Sequence, residues 1–277
     1  MGKYVILIDS PDQKGLIYKV SKILFELDAN IEENSEFVDN EHDKFFMRTE
    51  ISGNIDIDSL LITLKKELPQ KANIEIKKVQ KKQIVILATK ESHCLGDLLI
   101  RHDGGDLKAD IECVISNHET LRPLCEKFGI NYHFVPADNL KRAEHEQKVL
   151  AIIKEYNFDY IVLAKYMRIL TPDFVEHFSN KIINIHHSFL PAFIGANPYK
   201  QAFNRGVKMI GATAHFVNND LDEGPIIDQG IIKVDHRYSW QDMQRAGQDV
   251  EKIVLANALD LVLDNRVFVY ANKTVIF

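Results

Sequence analysis

Three polar side chains near the ends of two apolar segments have the types and spacing needed for acyl transfer. Asn184 and His186 are two residues apart in the segment 182–191, so in a strand both point to the same face. Asp222 lies in the acidic loop 218–225, after a second apolar segment. An amide and a protonated imidazole can donate hydrogen bonds to the oxyanion that forms when a carbonyl is attacked. A nearby carboxylate would raise the imidazole pKa and take a proton from attacking water.

Two more histidines lie close to these residues in the sequence. We expect His215 to orient Asp222 or its loop. His187 points away from His186 while the strand lasts, and either reaches an acceptor-side cleft or packs against Tyr199. Two histidines and a carboxylate (His186, His215 and Asp222) could also hold a metal ion. Their spacing is not diagnostic of such a site, and we expect no metal here.

The chain around these residues alternates between strands and helices after residue 80. Strands are predicted at 84–88, 111–116 and 160–164. Helices are predicted at 95–102, 119–128 and 143–156. This alternation is typical of an α/β fold with a doubly wound, mostly parallel sheet. Ligands of such sheets bind in the crevice at the carboxyl ends of the strands, where we expect the polar residues to meet.

The first 80 residues follow a different pattern. Strands are predicted at 4–9, around 37–38, at 44–51 and at 74–79, with helices at 16–27 and 57–68. This βαββαβ order is that of a ferredoxin-like unit. The segment 81–83 is interpreted as a linker, so we predict two domains, 1–80 and 81–277.

The N-terminal pattern resembles the ACT family of small regulatory domains, with residues 12–16 between the first strand and helix. The resemblance implies an amino-acid effector near Asp12 and Gly15, and a homo-oligomer, either a dimer or a tetramer. An assembly domain that binds no ligand is the alternative interpretation.

The composition argues against several classes of protein. A net charge of −6 and a pI near 6.0 do not suit a nucleic-acid-binding protein. No apolar run approaches the ~20 residues that span a bilayer, and the N-terminus is not a secretory signal, so we expect a cytoplasmic protein. The three cysteines, Cys94, Cys113 and Cys125, are too widely spaced for a disulfide framework or a zinc knuckle.

Three separated motifs resemble the folate-dependent formyltransferase family. They are Asn-Ile-His-x-Ser-x-Leu-Pro at 184–191, Gly-Ala-Thr-x-His-Phe-Val at 211–217 and Asp-x-Asp-x-Gly-Pro-Ile at 220–226. The resemblance covers residues 83–277 and implies that Asn184, His186 and Asp222 are the catalytic trio. It also implies a folate-binding set, namely Met167, Arg168, Ile169, Leu170, Val217 and Asp220. The folate would be the substrate, and no cofactor is expected.

Two departures from the family pattern distinguish its members. The loop 88–96 lacks the glycines that would let backbone N–H groups hold a phosphate, and Glu91 would repel one. His187 stands where the family's transferases usually have proline. An ACT-like domain followed by His-His-Ser-Phe-Leu-Pro at 186–191 resembles the hydrolase branch of the family.

That resemblance implies hydrolysis of 10-formyltetrahydrofolate to tetrahydrofolate and formate. The reaction would supply formate for purine synthesis and balance the one-carbon folate pools. Transfer of the formyl group to an amine is the alternative activity. A third interpretation, an amino-acid sensor with a decayed enzyme domain, conflicts with the presence of all three catalytic residue types.

Overall fold

The computed structural model of the chain describes residues 2–192 and 197–277. The chain divides into two compact units, Met1–Gln80 with Phe277 and Lys81–Ile276. Each unit has its own buried apolar core. None of the described helices is both long enough and apolar enough to cross a membrane.

The first unit packs two helices on an antiparallel sheet. Its elements are β1 (Gly2–Pro11), α1 (Leu16–Glu26), β2 (Asn30–Asp39), β3 (Lys44–Gly53), α2 (Ile57–Glu67) and β4 (Asn73–Lys78). The sheet order is β2-β3-β1-β4, and every pairing is antiparallel. Val20 and Leu24 of α1 and Leu60 of α2 are fully buried with the apolar face of the sheet. The predicted βαββαβ order is therefore correct.

β2 is longer than the short strand predicted around residues 37–38. The strand begins at Asn30, but the side chains of residues 30–35 are mostly exposed and polar because β2 is an edge strand. With neither face buried, the segment lacks the alternation of apolar and polar residues that predicts a strand.

The second unit is a seven-stranded sheet with helices on its faces. Its first elements are β5 (Lys82–Ala88), α3 (His93–Gly104), β6 (Ala109–Ser116), α4 (Arg122–Lys127), β7 (Tyr132–Phe134), α5 (Arg142–Ile153) and β8 (Tyr160–Ala164). There follow α6 (Pro172–His177), β9 (Ile182–His186), α7 (Pro198–Arg205), β10 (Met209–Phe216), β11 (Ile226–Lys233), α8 (Trp240–Leu263), β12 (Val267–Tyr270) and β13 (Lys273–Ile276). The strand order is β11-β10-β9-β8-β5-β6-β7. Among the described strands of this sheet, the two pairings of β10, with β9 and β11, are antiparallel and the other four are parallel, so the predicted mostly parallel sheet is confirmed. β12 and β13 form a separate antiparallel pair.

The interpretation of residues 81–83 as a linker is wrong for two of the three. Lys82 and Gln83 form the start of β5, where Lys82 is buried. The Gln83 N–H donates to Asp159 Oδ2 at 2.9 Å, and Lys82 Nζ lies 3.7 Å from Asp159 Oδ1. A lysine can occupy a buried strand end because its long apolar stem is covered while its charge reaches a carboxylate.

Several elements of this unit were not predicted, including the edge strand β11 and the 24-residue helix α8. The sequence does carry a signal for the start of α8. The Ser239 side chain accepts from the Asp242 N–H, and the Asp242 side chain accepts from the Ser239 N–H. This reciprocal capping box is a recognisable helix N-terminus.

The sheet reverses its direction of growth between β5 and β8. The chain runs outward from β5 through β6 to β7, then returns to place β8 and β9 on the other side of β5. A crevice forms at the carboxyl ends of strands at such a switch point. The Met167 N–H donates to Thr89 Oγ1 at 2.9 Å and ties the two strand ends together. Lys165 follows β8 directly and takes a left-handed conformation, with φ 60°.

Candidate active site

Asn184, His186 and Asp222 line one cavity of about 330 Å³. Asn184 and His186 share a face of β9, as their spacing predicted, and Asp222 reaches them from the loop between β10 and β11. His186 Nδ1 lies 3.2 Å from Asp222 Oδ1. The structure thus brings together three groups that are up to 38 residues apart in the chain.

A tight loop holds Asp222 in place. The Phe216 N–H donates to the Pro225 carbonyl at 2.9 Å, so the chain doubles back immediately after β10. A Cβ atom at Gly224 would lie 1.7 Å from the Phe216 carbonyl oxygen, which explains the glycine at this close approach. Asp222 itself has a φ of 57°, a left-handed conformation that aspartate and asparagine tolerate better than most residues.

The ionised carboxylate of Asp222 accepts from His186 Nδ1 and leaves the other ring nitrogen, Nε2, available to a ligand. Burial acts to raise the pKa of Asp222, but the hydrogen bond from His186 and the neighbouring imidazoles outweigh it, and the pKa lies below its ordinary value. Asp222 is therefore ionised at neutral pH. Among the described residues, His186 Nε2 is buried and has no hydrogen-bond partner. With Nδ1 on Asp222, this second nitrogen remains available to a ligand in the cavity.

His215 contacts Asn184 more closely than it contacts Asp222. Its Nδ1 lies 2.9 Å from the Phe216 carbonyl oxygen, to which it donates, so Nε2 accepts from Asn184 Nδ2 at 3.1 Å. Asp222 Oδ1 is 3.9 Å from the same Nε2. Burial lowers the pKa of His215 more than its hydrogen bond to Phe216 raises it, so the ring is neutral. His215 therefore orients the amide of Asn184, whereas we had predicted that it orients Asp222 or its loop.

All six residues of the predicted folate-binding set line the cavity. They are Met167, Arg168, Ile169, Leu170, Val217 and Asp220. The first four follow β8, and the last two follow β10. Met167 and Ile169 are about half exposed, so apolar side chains stand at the mouth of the cavity. A flat, partly apolar ligand would cover them.

A buried cluster beside the cavity was not predicted from the sequence. Glu251 of α8 is fully buried, and its Oε2 lies 2.7 Å from His93 Nε2 and 3.2 Å from Lys165 Nζ. The Tyr199 hydroxyl donates to the other carboxylate oxygen. Burial acts to raise the pKa of Glu251, but these partners overcome it and lower the pKa to about 2. An acidic residue within the apolar stripe of α8 was the signal that the sequence offered.

His187 lies at the border between two cavities. Because β9 ends at His186, the chain turns there, and His187 lines the first cavity instead of facing away from it. It also lines a second cavity of about 210 Å³. Its ring centroid is 5.1 Å from that of His186 and 6.2 Å from that of Tyr199. Burial, followed by the positive charge of Lys165, lowers the pKa of His187 to about 4.

The predicted effector residues lie in the first unit, between β1 and α1. Gly15 has a φ of 91° and precedes α1, and a Cβ atom there would meet open space. The Asp12 N–H donates to the Asp43 carbonyl at 2.8 Å, which connects this loop to the turn before β3.

Metal-ligand geometry occurs away from the catalytic trio. In the described part of the chain, two groups bring three donor atoms within 4.8 Å of one another: His93 with Cys94 and Glu251, and Asp39 with Glu41 and His42. Neither group includes residues of the trio. Burial and the nearby Glu251 carboxylate raise the pKa of the Cys94 thiol far above its usual range, so it is protonated and a poor ligand.

The fold and the arrangement of the site are those of an enzyme that transfers formyl groups. Similarity to known proteins agrees with this class. The model of the formyl transferase family matches residues 82–259. The chain belongs to the formyl transferase family.

Similarity over the whole length is to particular members. The chain is 56% identical over 274 residues to formyltetrahydrofolate deformylase of Haemophilus influenzae, covering 99% of both proteins. It is 46% identical over 284 residues to the Bacillus subtilis deformylase, covering 98% of this chain and 93% of that protein.

Solved structures of deformylases and of transformylases differ in how much of this chain they match. A formyltetrahydrofolate deformylase from Pseudomonas syringae superposes with a TM-score of 0.95 at 43% identity, covering 100% of this chain and 95% of that one. Glycinamide ribonucleotide transformylase 1 from Symbiobacterium toebii gives a TM-score of 0.68 at 28% identity, covering 74% of this chain and 97% of that one. The match to the deformylase thus includes the first unit as well.

Proposed function

We propose that this protein is a hydrolase that converts 10-formyltetrahydrofolate and water to tetrahydrofolate and formate. The observation that carries the proposal is the His186–Asp222 pair at 3.2 Å, together with an imidazole nitrogen in the cavity that has no hydrogen-bond partner among the described residues. The full-length relatives that bear the name formyltetrahydrofolate deformylase support the same reaction.

Two members of the trio act on the formyl oxygen, and the third acts on the water. The formyl oxygen accepts hydrogen bonds from His186 Nε2 and from Asn184 Nδ2, which stabilise it as it becomes an oxyanion. The water oxygen bonds to the formyl carbon while Asp222 takes one water proton. The carbon–nitrogen bond then breaks, that proton passes to the folate nitrogen, and formic acid leaves and ionises. No covalent enzyme intermediate is needed.

The acceptor side of the site suits water better than a phosphorylated amine. Glu91 and Glu251 place two carboxylates around His93, next to the loop where the family's transferases would hold a phosphate. The Glu91 carboxylate repels a phosphate at the N-terminus of α3, whereas the charge of Glu251 is balanced by Lys165 Nζ at 3.2 Å. A small neutral acceptor meets no such repulsion.

The proposal is tested by incubating the protein with 10-formyltetrahydrofolate and no acceptor. We expect formate and tetrahydrofolate in equal amounts, at a rate far above that of buffer alone. Formate that appears only after an amine is added would establish the alternative, a formyltransferase. Activity that survives dialysis against a chelator would support the absence of a metal or other cofactor.

We also propose the physiological setting of the reaction. The formate that is released would supply purine synthesis, and the turnover would balance the one-carbon folate pools. A cytoplasmic location suits three free, buried cysteine thiols. Growth of a deletion strain on limiting purine, with and without formate, would test the metabolic role.

The first unit is proposed to act as an ACT-like regulatory and assembly domain. Its βαββαβ order and the Gly15 turn support this assignment. We expect a homodimer or homotetramer by light scattering, and a change in hydrolysis rate when amino acids such as glycine or methionine are added. A flat response would leave the unit as an assembly element alone.

A further inference from the structure

His187 is the polar residue where the two cavities meet. The second cavity is otherwise lined mainly by apolar side chains, and its other polar groups already have partners. Ser188 Oγ donates to the Ala192 carbonyl at 2.8 Å, and the Tyr199 hydroxyl donates to Glu251. Within residues 2–192 and 197–277, neither ring nitrogen of His187 makes a hydrogen bond to the protein.

Burial, and after it the charges on several sides, determine the protonation state of His187. Lys165 and His186 act to keep the ring neutral, whereas the carboxylates of Glu251 and Asp222 act in the opposite direction. Burial is the largest cause and lowers the pKa of the ring, so the ring is neutral at physiological pH. A neutral imidazole always has one nitrogen that accepts a hydrogen bond.

We propose that His187 holds the attacking water by accepting a hydrogen bond from it, next to the carbon of the formyl group whose oxygen accepts from His186. The inference rests on the proposed hydrolysis and names the residue that makes water the acceptor. His187 is too weak a base to keep a proton, so it orients one hydrogen of the water. The other hydrogen is the one that moves to Asp222 as the carbon–oxygen bond forms.

The buried pair of Lys165 and Glu251 positions His187 and does not itself take part in the proton transfer from water. Lys165 is 4% exposed and follows β8, and its Nζ is held 3.2 Å from Glu251 Oε2. Tyr199 donates to the same carboxylate and packs near the His187 ring. The cluster therefore fixes both the position of the ring and the positive charge that opposes its protonation.

The test compares two nucleophiles in His187→Phe, which keeps a ring beside His186 and Tyr199 but has no acceptor nitrogen. Hydroxylamine is a much stronger nucleophile than water and can attack before it loses a proton, so transfer to it, measured as formohydroxamate, depends less on an acceptor that orients a proton. We expect kcat for formate to fall about 100-fold, with KM changed less than about threefold. Formohydroxamate formation should fall far less.

Two further His187 variants and one control variant keep the test decisive. His187→Gln restores an acceptor oxygen, so it should hydrolyse faster than His187→Leu, and this pair replaces the Phe variant if that one does not fold. His236→Gln, at an exposed histidine, is the matched control. Equal losses of formate and formohydroxamate would overturn the proposal, as would unchanged hydrolysis in the Phe and Leu variants. A wild-type protein that releases no formate would instead overturn the proposed function.

The role of Lys165 has a separate readout. In Lys165→Met the positive charge is lost, so the protonated form of His187 is disfavoured less. We expect the His187 pKa, measured by NMR titration of the imidazole, to rise from its value of about 4. An unchanged or lower pKa would show that Lys165 does not control this ring.

Discussion

Nδ2 of Asn184 lies 3.1 Å from Nε2 of His215. Because His215 is neutral and its Nδ1 donates to the Phe216 carbonyl, Nε2 carries no hydrogen and can only accept. The amide of Asn184 must therefore turn its NH₂ group toward His215. One N–H is used by this contact, and the second remains for the formyl oxygen of the substrate.

Replacing His215 should lower turnover through Asn184. In His215→Phe the acceptor is absent and the amide can rotate, so we expect kcat to fall about 10- to 100-fold with little change in KM. His215→Gln, which can still accept, should lose less. The rates are measured as formate release, with folding checked by thermal denaturation. Equal rates for the Phe variant and the wild type would show that the amide needs no such support.

Asp222→Asn should remove most activity and keep folate binding. Asparagine tolerates the left-handed φ of 57°, so the loop is expected to retain its shape while the carboxylate is lost. We expect kcat to fall at least about 100-fold, because both the proton acceptor and the charge beside His186 disappear. Tetrahydrofolate binding by calorimetry should persist.

Glu223→Gln is the matched control for that change. It removes the same charge one residue away in the same loop, and Glu223 is exposed. Its turnover should stay close to that of the wild type. If both variants lost activity to the same degree, the loss would come from the charge of the loop and not from a specific carboxylate.

Glu251→Gln should destabilise the protein, because Lys165 is left buried without a counter-charge. We expect the free energy of unfolding at pH 7 to fall by about 3 kcal/mol in urea denaturation. The Glu251 pKa is lowered from 4.5 to about 2 on folding. Its contribution is therefore present above pH 4.5 and is lost as the pH falls toward 2.

The difference between wild type and Glu251→Gln should accordingly shrink below pH 4.5. Asp249→Asn on the same helix is the control, since Asp249 is 70% exposed and pairs only with Lys252 among the described residues. It should change stability by no more than about 0.5 kcal/mol. A difference that grows on acidification would contradict the ionised state of Glu251.

Two glycine-to-alanine changes in helices should have opposite effects. A Cβ atom at Gly247 in α8 would lie 2.1 Å from the Tyr199 hydroxyl, whereas one at Gly96 in α3 would meet its nearest neighbour, Leu124 Cδ2, at 3.8 Å. Gly247→Ala should therefore destabilise the protein by about 1–3 kcal/mol. Gly96→Ala should stabilise it by up to about 1 kcal/mol through helix propensity. Thermal denaturation measures both, and a stabilised Gly247→Ala would show that Tyr199 moves freely.

The sequence predicted those parts of the structure that depend on residues close together in the chain. The apolar runs of β5, β6 and β8 indicate that these strands are buried. The spacing of Asn184 and His186 places both side chains on one face of β9. The missed elements give weaker local signals. β2 and β11 are edge strands, so their side chains are not required to alternate between core and solvent.

Tertiary structure alone decided which partners the polar groups have. Glu251 meets His93, Lys165 and Tyr199 from four separate segments, and no spacing along the chain encodes that meeting. Likewise, His215 serves Asn184 because β9 and β10 pair antiparallel with these two residues opposite each other. A periodic pattern shows which face of a strand is buried, whereas the distance between two side chains depends on how separate elements pack.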